Sequence, residues 1–323
     1  MLVEDIAILP KVVLHEHLDG CVLPETLADL LERAGSAFDP TSVTAPQGAT
    51  LERYLECFTQ PLSVMQDASS LERIARELSH QWCQDGVVYG EVRFAPELHT
   101  RTGLSMPEAV EAVLAGLEQG PVPARLVLTA MRNKDRSHQV ATVAASFASF
   151  GVVGFDLAGP EAGYPLSLHS DAINAARAAG LGITLHAGEA VGPGAVREAL
   201  DLGAHRIGHG VTSILDPGLL DALANSTTML EVCVTSNLQT GAAASLLGHQ
   251  VKQLRDSGVT VSLQVDNRTV SGVTLSQEMH TVCQAFGWGS ADLLEMLDTS
   301  IAAAFLPYSE KQDLRLRLAR DVR

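Results

Sequence analysis

The chain has 323 residues, 46% of them hydrophobic but only 4% aromatic, and a formal charge of −16 at neutral pH. That is enough for a large core packed mainly from Ala, Leu and Val, in one α/β barrel or two average domains. A surface this acidic, with no Lys/Arg cluster, repels phosphate backbones; it argues against nucleic acid as a partner and suits a small neutral substrate.

Residues 1–10 carry Glu4 and Asp5 and have no basic stretch or long apolar run, so we expect no signal peptide, no membrane span and a cytoplasmic protein. The first expected strand is 12–18, followed by a helix over 24–34 in which Leu27, Leu30, Leu31 and Ala34 share one face and Pro24 opens the first turn. Residues from about 36 to 80 read as an insertion with extra helices, such as 51–64. Further strands are expected at 87–95, 125–131, 152–158, 182–187, 205–209, 229–235 and 259–266. Helices between them include 106–118, 171–179, 193–202 and 274–286. Eight strands, each followed by a helix, predict a (β/α)8 TIM barrel in one domain over residues 1–323, with a doubly wound α/β sheet as the competing arrangement. The five cysteines (Cys21, Cys57, Cys83, Cys233, Cys283) are scattered and form no C-x-x-C pair. Reduced, buried thiols are therefore expected, rather than disulfides or a thiolate metal site.

Catalytic groups of such a barrel stand at the carboxyl ends of its strands. His15 and His17, two apart on the first strand, point the same way and can grip one ion. Asp156-Leu157-Ala158-Gly159, His186 with Glu189, His209, Ser236-Asn237 and Asp266 also fall at strand ends. Strands 1, 4, 5, 6, 7 and 8 would then line one mouth. A transition metal in an N/O site takes neutral imidazoles and a carboxylate and leaves a position open for water. His15, His17, His186 and Asp266 offer that set. A single histidine is more often a surface or core residue; the constellation is what reads as a metallohydrolase.

These motifs resemble the adenosine deaminase family of metal-dependent amidohydrolases. The resemblance rests on His15-Glu16-His17-Leu18-Asp19-Gly20, Asp156-Leu157-Ala158-Gly159, His186-Ala187-Gly188-Glu189, Arg206-Ile207-Gly208-His209-Gly210, Thr235-Ser236-Asn237 and Asp266. Supporting runs are Leu9-Pro10-Lys11, Glu91-Val92-Arg93-Phe94 and Gln239-Thr240-Gly241-Ala242. It implies a zinc-dependent hydrolase that removes the 6-amino group of a purine nucleoside in purine salvage. One zinc would be held by His15, His17, His186 and Asp266, with a fifth place for water. His209 and Asp266 would orient and deprotonate that water, and Glu189, its pKa raised by desolvation, would protonate purine N1. Gly159 N–H would meet N3. Asp19 and the outer face of His17 would accept the ribose 5′-hydroxyl, which favours a nucleoside over free adenine. Tyr54, Leu55 and Phe58 match a helix that caps the pocket in the family, although Leu51, Leu55 and Phe58 at helical spacing could equally be packing.

The sequence departs from the family pattern in a few places. Asn267 replaces the second carboxylate of the usual Thr-Asp-Asp-Pro; its amide can donate to purine N7 with no proton to hold. Pro160, Val234 and the pair Gln264-Val265 are further substitutions. The readings that compete are another 6-aminopurine (a 5′-modified adenosine or adenine) as substrate, and a non-catalytic purine-binding barrel.

Overall fold

The structure, a computed structural model, describes residues 2–321. Met1, Val322 and Arg323, the ends of the expected domain, lie outside the described residues. Eight parallel strands follow one another around a barrel in chain order. They are β1 (Lys11–His17), β2 (Val87–Phe94), β3 (Ala124–Met131), β4 (Val152–Ala158), β5 (Gly182–Ala187), β6 (Arg206–His209), β7 (Met229–Val232) and β8 (Val261–Leu263). Helices follow each strand on the outside, so the (β/α)8 expectation is borne out and the doubly wound alternative is not. No helix among the described residues is long and apolar enough to cross a membrane.

The seam between β8 and β1 shows how the barrel closes. A bridge joins Glu16 to Asp266, with His17 N donating to Asp266 O (2.8 Å) and Asp266 N to His15 O (3.0 Å). Below it the Gln264 side chain takes the place of a ladder. Its Oε1 accepts from Leu14 N (2.7 Å) and His15 N (3.2 Å), and its Nε2 donates to Ser262 Oγ (2.7 Å). Gln264 thus satisfies two backbone donors of β1 that would otherwise be buried without a partner.

Parity along β1 separates two chemistries. His15 and His17 face the barrel axis, while Glu16 between them faces the helices. There, fully buried, it accepts from Trp82 Nε1 (2.7 Å) and Arg268 Nε (2.9 Å). Trp82 belongs to the helix Ala68–Gln84, which packs on the barrel wall. The expected insertion over 36–80 is thus shorter: only the segment up to about residue 66, with helices Leu51–Leu55 and Thr59–Val64, is extra to the barrel.

Two expected strands end early. The run 229–235 is a strand only to Val232, and Val234–Gln239 is a short helix. Glu278 accepts from Thr235 N (2.8 Å) and also from its hydroxyl, which pulls the chain out of the ladder. The run 259–266 is a strand only over Val261–Leu263; beyond it Asp266, at φ +68°, meets β1 through its isolated bridge to Glu16. The thiols are free, and Cys21, Cys57, Cys233 and Cys283 are buried. Cys83 departs from expectation and is exposed, since it lies on the outer face of Ala68–Gln84.

Candidate active site

At the carboxyl ends of the strands, one ligand atom from each of His15, His17, His186 and Asp266 falls within 4.8 Å of all the others. Asp266 Oδ1 is 3.3 Å from His15 Nε2 and 3.5 Å from His17 Nε2, and the Nε2 atoms of His17 and His186 are 3.2 Å apart. The far sides of two rings are tied down. His15 Nδ1 is 2.9 Å from Glu231 Oε2, and His186 Nδ1 is 3.0 Å from Asp156 Oδ1. Carboxylates there accept Nδ1–H, so both Nε2 lone pairs point at the shared centre. His15 Nε2 is buried and has no hydrogen-bond partner. Orphaned, converging donors of this N/O type fit a transition metal.

Below the imidazoles lies a charged layer sealed from solvent. Arg93 reaches Glu231 (2.8 Å), Asp156 (3.3 Å) and Leu14 O (2.7 Å), and Arg206 reaches Glu231 (2.6 Å) and Glu91 (2.7 Å). Burial alone would raise the carboxyls of Asp156 and Glu231, but the His186 imidazole and the Arg93 guanidinium beside the first, and the Arg93 and Arg206 guanidinium groups beside the second, hold both well below the usual range. They are ionised acceptors for the imidazoles above. Sequence reasoning missed Glu231; its only signal was a lone acid in the apolar run of β7.

Two backbone outliers sit here. His209 (φ +64°) and Asp266 (φ +68°) are the non-glycine residues with positive φ among those described. Such conformations cost roughly 1–3 kcal/mol each and persist only where the surroundings over-determine them. Ser236 Oγ donates to Asp266 Oδ2 (2.6 Å), and the Asn237 amide lies 3.0 Å from His209 Nδ1; the helix that replaces the end of the expected seventh strand supplies both contacts. Gly208 must lack a side chain, because a Cβ there would lie 2.9 Å from His15 Cε1.

The cluster opens into a cavity of about 410 Å3 lined by His17, His186, Asp266, Glu189, His209, Asp19, Gly159 and Asn267, within the ~300–1,000 Å3 usual for small-ligand sites. Glu189 Oε2 is 3.6 Å from His209 Nε2. Burial, helped by the charges of Asp266 and Glu161, pushes the Glu189 carboxyl up to about 8, so it holds a proton at neutral pH. Burial pushes His209 down to about 4 and Asp19 up to about 7. Leu51, Tyr54, Leu55 and Phe58 line the opposite wall. Among these, Tyr54 is tied to the strand 8 loop: Asn267 Nδ2 donates to its hydroxyl (3.0 Å), which also meets Ser271 Oγ (3.0 Å). Asn267 Oδ1 is buried and unpartnered. One amide hydrogen of Asn267 is therefore committed to the capping helix and the other remains for a ligand. His17, Asp19, Gly159, His186, Glu189, His209, Asp266 and Asn267, all singled out from the sequence, line this one mouth, and His15 joins them through the ligand cluster.

Comparison with known proteins agrees. The adenosine deaminase family model matches residues 10–320. The adenosine deaminase of Mycobacteroides abscessus is 40% identical, over 94% of this chain and 92% of its own length. That of Mycobacterium leprae is 39% identical over 95% and 93%. The structure of an Arabidopsis N6-mAMP deaminase superposes with a TM-score of 0.90 at 27% identity, covering 98% of this chain and 99% of that one. An adenine deaminase from Arthrobacter aurescens, at 23% identity, shares the fold with a TM-score of 0.87 over 97% of this chain and 99% of its own. A cavity built on three imidazoles and a carboxylate, in a sequence matched from strand 1 to the last helix, has one consequence: the chain belongs to the adenosine deaminase family.

Proposed function

We propose that the protein hydrolyses adenosine and 2′-deoxyadenosine to inosine and 2′-deoxyinosine with release of ammonia, using one zinc ion per chain, in cytoplasmic purine salvage, and that residues 1–323 work as one catalytic domain. The observation that carries this is the convergence of His15, His17, His186 and Asp266 beside Glu189 and His209 in one cavity. Relatives about 40% identical along nearly the whole chain are adenosine deaminases.

His15, His17, His186 and Asp266 would hold the ion, which supplies Lewis acidity and brings the pKa of water at the site toward ~7. The remaining chemistry belongs to side chains. His209 takes the proton of the attacking water. For that, the Asn237 amide must turn so that Oδ1, otherwise unpartnered, accepts from His209 Nδ1–H and leaves Nε2 free. Carbon 6 of a purine is a poor electrophile while the ring is aromatic. Glu189 gives its proton to N1 as that carbon becomes tetrahedral, help worth ~10²–10⁴-fold. The second amide hydrogen of Asn267 donates to N7, and Gly159 N–H to N3. The 5′-hydroxyl donates to Asp19 and accepts from His17 Nδ1–H, since His17 Nε2 faces the ligand cluster.

The test is loss of adenosine absorbance on purified protein, with 2′-deoxyadenosine, adenine, AMP and N6-methyl-AMP as parallel substrates. Adenosine and 2′-deoxyadenosine should be turned over fastest; a preference for either nucleotide would move the reading toward the function of the plant neighbour. Glu189→Gln should bind substrate yet lose ~10²–10⁴-fold in kcat, and full turnover in that variant would remove Glu189 from its role.

A further inference from the structure

Glu161, in the loop after β4, is only 4% exposed and has no part in the chemistry above. Its Oε1 accepts from Gly188 N (2.7 Å), and its Oε2 from Glu189 N (3.1 Å), Ala190 N (2.5 Å) and Val191 N (3.0 Å). Four consecutive amides of the β5 loop thus close on one side chain. Successive N–H groups that point to a common centre form a nest for an anion, and bonds from them to a carboxylate are of the strong, charge-assisted kind. The turn that aims them needs Gly188 at φ +72°, where a Cβ would also lie 2.4 Å from Val196 Cγ2. Arg132 is 3.9 Å from Glu161 Oε1 and donates to the His186 carbonyl. One buried cation therefore balances the clamp and grips the strand that precedes the loop.

We propose that Glu161 is the positioning residue for Glu189: by clamping the amides of residues 188–191 it fixes the direction in which the Glu189 side chain leaves the backbone, toward the cavity beside His209. The inference rests on Glu189 as proton donor. A second observation runs the same way, since Glu161 is also one of the charges that keep the Glu189 carboxyl protonated.

A double-mutant cycle tests it. In Glu161→Gln one acceptor oxygen remains and an N–H2 opposes the amide donors, so the loop must shift. Its kcat should fall ~10²-fold, the lower end of what a general acid contributes. KM, zinc content and inosine binding by calorimetry should stay within about threefold. In the Glu189→Gln background the same change should alter kcat by less than about twofold, because the group it positions is gone. Multiplicative losses in the double variant, or a Glu161→Gln enzyme within about threefold of the parent kcat, would overturn the proposal. If Glu161→Gln does not fold, Glu161→Asp, one methylene shorter with its charge intact, enters the same cycle with the same two outcomes. A fully active Glu189→Gln enzyme is the separate result that would refute the proton-donor reading itself, and the positioning role with it.

Discussion

Replacing Asp156 with Ala separates the support of the metal site from the support of the fold. Among the described residues Asp156 is the hydrogen-bond partner of His186 Nδ1 (3.0 Å), whereas Arg93, which also contacts Asp156, keeps Glu231 (2.8 Å) and Leu14 O (2.7 Å). The substitution therefore frees the His186 ring to rotate and to change tautomer while leaving Arg93 largely paired. Loss of such a carboxylate behind a ligating imidazole typically weakens metal binding ~10–100-fold, which is about 1.4–2.8 kcal/mol at ~1.4 kcal/mol per decade. Glu231→Ala makes the contrast: it strips a partner from His15, Arg93 and Arg206 together, and breaking buried pairs of this kind costs ~3–5 kcal/mol of stability. Competition for zinc against a chromophoric chelator gives the affinity, and thermal unfolding gives the stability. Asp156→Ala should lose zinc affinity by at least tenfold with the smaller fall in Tm; zinc affinity within about twofold of the parent would refute this account of how His186 is held.

With the Glu189 carboxyl pushed up to about 8, the donor is protonated below that pH and loses its proton above it. A profile of kcat/KM should therefore descend about tenfold per unit on the alkaline side of that value; a plateau well past it would exclude Glu189 as the essential acid. If the second amide hydrogen of Asn267 reads N7, 7-deazaadenosine should be the poorer substrate by roughly tenfold in kcat/KM, as expected when a buried donor is left unpaired; equal rates would show that N7 is not read.

The barrel and the His15/His17 pair of the candidate ligand set were legible in the sequence because both are periodic or local signals. Two residues apart on a strand guarantees that His15 and His17 share a face, and apolar runs at regular spacing mark the strands. The ends of strands 7 and 8 were not legible, since a short apolar stretch such as Cys233-Val234 fits strand and helix equally. What decides there is Glu278 gripping Thr235 from a later helix and Gln264 reaching across to Leu14. Glu161 and Glu231 were missed for the same reason. Their roles are defined by partners far along the chain, the amides of 188–191 and His15, and nothing adjacent in sequence announces them. Asn267 was singled out as a departure, but its bond to Tyr54 depends on how the capping helix folds back over the mouth.

If three imidazoles and one carboxylate hold the single ion on which adenosine hydrolysis depends, turnover must follow metal occupancy. Zinc is titrated into chelator-treated protein while bound metal and adenosine turnover are followed together. Activity should rise from baseline in proportion to bound zinc and saturate at one ion per chain, and Asp266→Ala should neither bind the ion nor recover. Undiminished turnover in the metal-free protein, or full activity in Asp266→Ala, would contradict the account.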